Sequence, residues 1–224
     1  MYKNKRIAIV FFARSQSTRL KNKLFKKIFN TNILTINFKI MKKIKFVDEK
    51  ILATTTKNND NKIIEIANNN NLKFYRGSEK NVLKRFVEAC NHLEKKPDII
   101  IRYCCENPLT SSRLIEENIK RIIDQKADLI SILPPSNAIF GISPVIIKYS
   151  TLNKVYKKAN HQLYKEHVEN YCYDYPENFK IIYPVHEKKY FFPDTNFSID
   201  TLNDFKRVNN IFEKLKLKFG KYQY

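Results

Sequence analysis

A strand with water on one side alternates apolar and polar residues, whereas a strand covered on both sides need not. This chain opens on the second kind: residues 7 to 12 read IAIVFF with no polar break, and further runs of strand length recur at 50–55, 72–75, 98–103 and 127–133. Between them lie longer stretches with apolar residues three and four apart, near 32–45, 60–71, 79–95, 112–125 and 201–217. Covered strands separated by amphipathic helices predict an α/β fold, a Rossmann-like and mostly parallel sheet with helices on both faces, as one domain over residues 1–224. The rhythm weakens after residue 133, where Pro134, Pro135, Pro144, Pro176, Pro184 and Pro193 fall. Proline cannot donate to a ladder, so strands there are expected to be short and in part antiparallel, and 134–195 is expected to form a flap for an acceptor or a second subunit.

Composition narrows the function. The formal charge is +20, from 42 Lys and Arg against 22 Asp and Glu. The lysines are spread along the chain, with no tail, stripe, zinc finger or aromatic sheet signature, so no specific nucleic-acid partner is expected. Three glycines, Gly77, Gly141 and Gly220, can build neither a Walker loop nor a GxGxxG fingerprint. Cys90, Cys104, Cys105 and Cys172 form no CxxC pair and read as reduced thiols of a cytoplasmic protein. The basic N-terminus and its short apolar run differ from a signal peptide because Arg14 interrupts early and no small-residue cleavage site follows; no run reaches the roughly 18–20 residues of a membrane span. NNDNK at 58–62 reads as a polar loop and NNNN at 68–71 as a helix C-terminal cap.

Ligands of open α/β sheets settle at the carboxyl ends of the strands. ARSQSTRLKNK, residues 13–23, begins at such an end, and Arg14, Arg19 and Lys23 with Ser15, Ser17 and Thr18 match the donors that wrap a polyphosphate. A solvated basic loop is the plain alternative in so lysine-rich a chain. After the run at 98–103, Glu106 stands where a carboxylate can hold Mg2+ next to phosphates, or where any exposed loop glutamate would stand. In SIDTLNDF, Thr201 and Asp204 read as a capping box, which leaves Asp200 free to join Glu106 on one metal.

Taken in order, these stretches resemble the cytidylyltransferase family of the spore-coat polysaccharide type, related to the CMP-Kdo and CMP-sialate synthetases. IVFFARSQSTRLKNKLFKKI resembles the opening block, LATTTKNNDNKIIEIANNNNLKFYRGSEKNVLKRFVEAC the second, IIIRYCCENPL the metal turn, YKEHVENYCYDYPENFKI the Glu-His-Val segment, and SIDTLNDFKRVNNIFEKL the closing block. The resemblance implies the nucleotide-diphospho-sugar transferase type of sheet and a nucleotidyltransferase that uses CTP and Mg2+, releases pyrophosphate and makes a CMP-activated sugar acid for surface polysaccharide. It also implies catalytic Arg14, Arg19 and Lys23; nucleotide contacts from Ser15, Thr54, Thr55, Arg76, Gly77, Ser78 and Arg102; acceptor contacts from Glu166 and His167, with His167 inside a helix; and metal ligands Glu106 and Asp200. Arg85 could pair with Glu88 or reach the ligand.

Departures bear on the acceptor. Glu106 stands where the family turn usually has Asp, Lys21 and Asn22 replace Pro-Gly, and Ser143 and Pro144 in FGISPV replace an acidic residue near the glycine. A non-sugar phosphate or phosphonate acceptor and a nucleotide-sugar glycosyltransferase are the nearest rivals; a basic nucleic-acid module, or a pseudo-enzyme that only binds, lies further off. A homodimer joined through Tyr149, Tyr156, Tyr164 and Phe191 is also compatible with the aromatic content.

Overall fold

The computed structural model describes residues 1–185 and 195–219. The chain runs β1 (Ile7–Phe12), a small hairpin of β2 (Lys27–Ile28) and β3 (Thr31–Asn32), α1 (Ile33–Lys42), β4 (Glu49–Thr55), α2 (Asn61–Asn69), β5 (Lys73–Gly77), α3 (Val82–Asn91), β6 (Ile99–Cys104) and α4 (Ser112–Asp124). It continues through β7 (Leu129–Ile130), β8 (Val145–Lys148), α5 (Tyr149–Lys158), α6 (Gln162–Glu166), α7 (Asn170–Asp174), β9 (Ile181–Ile182) and α8 (Leu202–Phe219). Seven strands form one sheet in the order β5-β4-β1-β6-β8-β7-β9. The first four in that order are parallel, with Val10 of β1 between Ile51 and Arg102, so their carboxyl ends share one edge. β8 runs antiparallel to both β6 and β7, and β9 is parallel to β7.

The absence of alternation in β1 now has its cause. Ile7, Ile9 and Phe11 enter the layer formed with α1, α2, α4 and α8, while Ala8, Val10 and Phe12 enter the layer formed with α3 and α5. Each large side chain so covered contributes about 1.5–3 kcal/mol. Helix starts are chemically marked: Asn32, Asn81 and Ser111 accept from the N–H groups of Thr35, Lys84 and Leu114. Thr201 and Asp204 close the expected capping box, each side chain accepting the other's N–H at 3.2 and 2.8 Å. Asn71, at the end of the NNNN run, takes the left-handed φ of 55° expected of a helix stop.

Several expectations need correction. The strand expected at 127–133 shrinks to Leu129–Ile130, and α5 falls where no helix was placed, while β8 is one of the short antiparallel strands expected after residue 133. The stretch 134–195 supplies β8 and β9 to the main sheet as well as α5, α6 and α7; Phe191 and Pro193 lie outside the described residues. His167 is the C-terminal cap residue of α6, with φ −109° and ψ 85°, and does not lie inside a helix.

Gly141 joins two distant segments. Its φ is +91°, and a Cβ there would lie 2.6 Å from the Ser198 nitrogen and 2.7 Å from the Phe197 carbonyl carbon. That approach lets Phe197 donate its N–H to the Phe140 carbonyl at 2.8 Å and so directs residues 197–200 toward the strand ends. Gly141→Ala is expected to cost about 1–3 kcal/mol, through both strain and displacement. A melting curve unchanged from the parent protein would refute it.

Candidate active site

Three chain segments meet at the shared strand edge. β1 releases residues 13–23, a collar loop; β6 releases the turn at 104–108; and the segment leading to α8 lies beside that turn, with the Ile199 N–H donating to the Glu106 carbonyl at 3.0 Å. They surround a cavity of about 1030 Å3. Arg14, Ser15, Arg19, Lys23, Arg102, Glu106, Glu166, His167 and Asp200 all line it.

Its charges are already partly matched. One oxygen of Asp200 receives both Arg19 Nη2 and Lys23 Nζ at 3.0 Å, with the Lys23 side chain only 12% exposed. Lys23 can reach because Asn22 adopts a left-handed conformation, φ 57° and ψ 28°, before the short 3-10 turn of Lys23–Phe25. Asparagine tolerates that region better than most residues, so it can serve where glycine is the commoner choice. The Glu106 carboxylate, by contrast, makes no hydrogen bond or ion pair among the described residues.

The Glu106 turn is braced from behind. The Tyr103 hydroxyl donates to Asn37 Oδ1 and lies 3.1 Å from the Asn107 carbonyl, while Asn37 Nδ2 donates to the Cys105 carbonyl at 2.7 Å. Burial pushes the Cys104 thiol up to about 12 and Cys105 well above its ordinary value, so both are poor nucleophiles. All four cysteines are free.

Two guanidinium groups stand against the Phe12 ring, Arg102 at 5.4 Å and Arg85 at 5.8 Å from its centre. Burial opposes the charge on Arg102, but the Glu169 carboxylate, 3.0 Å from Nη1, holds its pKa above the ordinary value. Arg85 is 3% exposed and has no such partner; burial, then Arg14, pushes it down to about 10, still cationic at neutral pH. It faces the cavity and donates to the Ser78 carbonyl, while Glu88 is left to Tyr75 and Lys84.

The residues expected at the base and ribose, Thr54, Thr55, Arg76, Gly77 and Ser78, are not among those that line this cavity. Thr54 and Thr55 turn their hydroxyls to Asp60, at 3.0 and 2.5 Å. Arg76 staples the following loop by donating to the Thr55 and Lys57 carbonyls. Gly77 leaves room for Arg85, since a Cβ there would stand 3.0 Å from Arg85 Cγ and 2.6 Å from Tyr75 Cε1, and Ser78 supplies the carbonyl that holds the guanidinium. Ser143 is likewise outside the cavity, 2% exposed, its hydroxyl accepting from Asn118. Glu166 and His167 stand exposed at the rim.

Sequence reasoning missed Asp60 and Glu169. Asp60 belongs to the stretch taken as a polar loop, yet it is 1% exposed and accepts the Ser15 N–H at 2.7 Å. Burial alone would raise its pKa; hydrogen bonds from Ser15, Thr55 and Thr54 outweigh that and leave it lowered, so the group is ionised. Only the position of Asp60 just before an amphipathic helix marked it, and that signal points to a cap.

Known proteins resemble this chain over most of its length. A relative from Methanocaldococcus jannaschii, the uncharacterized protein MJ1063, is 37% identical over 197 residues, covering 87% of this chain and 78% of that protein. The spore coat polysaccharide biosynthesis protein SpsF of Bacillus subtilis is 27% identical over 213 residues, 93% of this chain and 87% of its own. The structure of a cytidylyltransferase from Leptospira borgpetersenii superposes with a TM-score of 0.85 at 22% identity, covering 99% of this chain and 100% of that one. The family model described as cytidylyltransferase matches residues 7–222, from the first residue of β1 to beyond α8, and the chain thus belongs to the cytidylyltransferase family of nucleotidyl-transferring enzymes.

Proposed function

We propose that the protein transfers CMP from CTP to an oxygen of a sugar acid or related precursor of surface polysaccharide, in the cytoplasm, with release of pyrophosphate. What chiefly supports this is the meeting of Arg19, Lys23, Glu106 and Asp200 in one cavity at the strand ends. No helix among the described residues is long and apolar enough to cross a membrane.

The acceptor oxygen attacks the α-phosphorus, the bond from that phosphorus to the bridging oxygen breaks, and pyrophosphate leaves with the electron pair. No protein nucleophile is required, so the site's task is to place the reactants and balance their negative charge. Arg14, Arg19 and Lys23 hold the triphosphate. Arg85 and Arg102 add fixed positive charge at the inner wall. Glu166 and His167, at the rim, orient the acceptor and take up its proton.

Glu106 and Asp200 suit a divalent cation: both offer hard oxygen ligands, their backbones are joined through Ile199, and the Glu106 carboxylate is uncommitted. Magnesium, when bound, supplies positive charge that phosphate oxygens share. Among the described residues there is no cluster of three or more His, Cys, Asp or Glu side chains that could hold a metal, so Glu106 and Asp200 would hold such an ion as a pair.

The decisive experiment is pyrophosphate release from CTP with Mg2+ across a panel of sugar acids and phosphate or phosphonate acceptors, with mass spectrometry of the products. A CMP-linked sugar acid is expected. A CMP adduct of a non-sugar phosphate would retain the reaction and replace the acceptor, whereas binding of UDP-sugars without CTP would overturn the reaction itself.

A further inference from the structure

The carboxylate of Asp60 is placed where a helix cap would be, yet it does not cap. Asp60 immediately precedes α2, but its side chain accepts no N–H from the first turn of that helix. One oxygen takes the Ser15 N–H at 2.7 Å; the other takes the Thr54 hydroxyl at 3.0 Å, the Thr55 hydroxyl at 2.5 Å and the Thr55 N–H at 3.2 Å. Donors from the start of the collar and from the end of β4 therefore converge on one buried anion. Neutral acceptors would join the same two segments at a smaller desolvation cost, so a charged one at this position calls for a reason beyond joining them.

The neighbours supply one. Ser15 is flanked by Arg14 and Gln16, and Asp60 by Asn59, with Lys62 two positions on; all four line the cavity. We propose that Asp60 is a positioning residue for nucleotide binding, fixing the point at which the collar leaves β1 and thereby aiming Arg14 into the cavity from one side and Asn59 and Lys62 from the other. The inference rests on the nucleotide reading above. Asp60 does not itself line the cavity and touches no ligand there; it acts through Ser15 and the α2 entry.

Asp60→Asn tests it. An asparagine oxygen still accepts the Ser15 N–H, but its amide group then faces the Thr55 N–H, donor against donor. Affinity for CTP and for inorganic tripolyphosphate, measured by calorimetry, is expected to fall about tenfold to a hundredfold, the range for a misplaced but intact binding group. The KM for CTP should rise by a similar factor with kcat per folded molecule kept within about threefold, and amide exchange at residues 13–16 should quicken while β1 and β6 stay protected. A role confined to stability would shrink the folded fraction and leave the KM of the remainder unchanged. Thr55→Val, which removes one hydroxyl donor and keeps the carboxylate, should move KM in the same direction by a smaller factor, and it decides the matter if the asparagine variant does not fold. Folded variants with parental KM and affinity overturn the inference alone, whereas a parent protein that binds neither CTP nor tripolyphosphate overturns the nucleotide reading and the inference with it.

Discussion

Asp200→Asn is expected to lower pyrophosphate release from CTP by about a hundredfold to a thousandfold, the range seen when one preorganised electrostatic contact to a transition state is lost. The substitution preserves shape and removes charge. In the free protein that charge is shared between Arg19 and Lys23, which contact the same oxygen, so the carboxylate orders the two cations before any ligand arrives. The start of α8 should survive, because it depends on Thr201 and Asp204, and the N–H of residue 200 still reaches Asp204. The Arg19 pair is solvent-screened, with 65% of that side chain exposed, so the stability cost falls on Lys23, whose side chain is only 12% exposed and loses its counter-ion. Arg19→Ala should cost less activity than Asp200→Asn, since Lys23 remains. Near-parental pyrophosphate release by the asparagine variant, measured with saturating CTP and Mg2+, would remove Asp200 from the reaction.

What could be read from the chain, and what could not, follows the range of each interaction. β1, β4 and β6 announce themselves because burial is written into consecutive residues, whereas β5, an edge strand with Lys73 and Phe74 exposed, shows only through its short run LKFY. The kind of strand that β8 is could be read from the prolines, but its position could not, since its four residues VIIK are recruited by β6, more than forty positions earlier in sequence. β2 and β3, of two residues each, are set by hairpin pairing alone. In the site, the collar, Glu106 and Asp200 are legible because each follows an apolar run that ends at the ligand edge. The Thr54 and Thr55 side chains also follow such a run, yet they turn inward, because Asp60 offers a buried acceptor that the local sequence does not advertise. Glu169 was hidden for the same reason: its partner Arg102 is 67 residues away, and within KEHVEN nothing sets it apart from Glu166.

That pair carries the largest expected effect on stability. Arg102 and Glu169 are each only 16% exposed at the side chain, and both Nε of Arg102 and Oε2 of Glu169 are buried without a hydrogen-bond partner. Such a pair gains little over two well-packed apolar residues, but each half is costly alone, because the survivor is a buried charge without its counter-ion. Glu169→Ala is therefore expected to cost about 3–5 kcal/mol, a drop on the order of 10 °C in melting temperature for a chain of this size. The cost is sharpened by Arg85, a second buried guanidinium against the same Phe12 ring, whose repulsion Glu169 offsets. Arg102→Met in the Glu169→Leu background should recover much of the stability lost by Glu169→Leu alone, and a double-mutant cycle on melting curves measures how much. Activity should separate from stability in that double variant, which is expected to fold yet bind nucleotide or acceptor poorly, because the cavity wall has lost a fixed cation. Additive stability losses would show that the two charges do not depend on each other, and Arg102 would then have to be a cation held in place by its stack on Phe12.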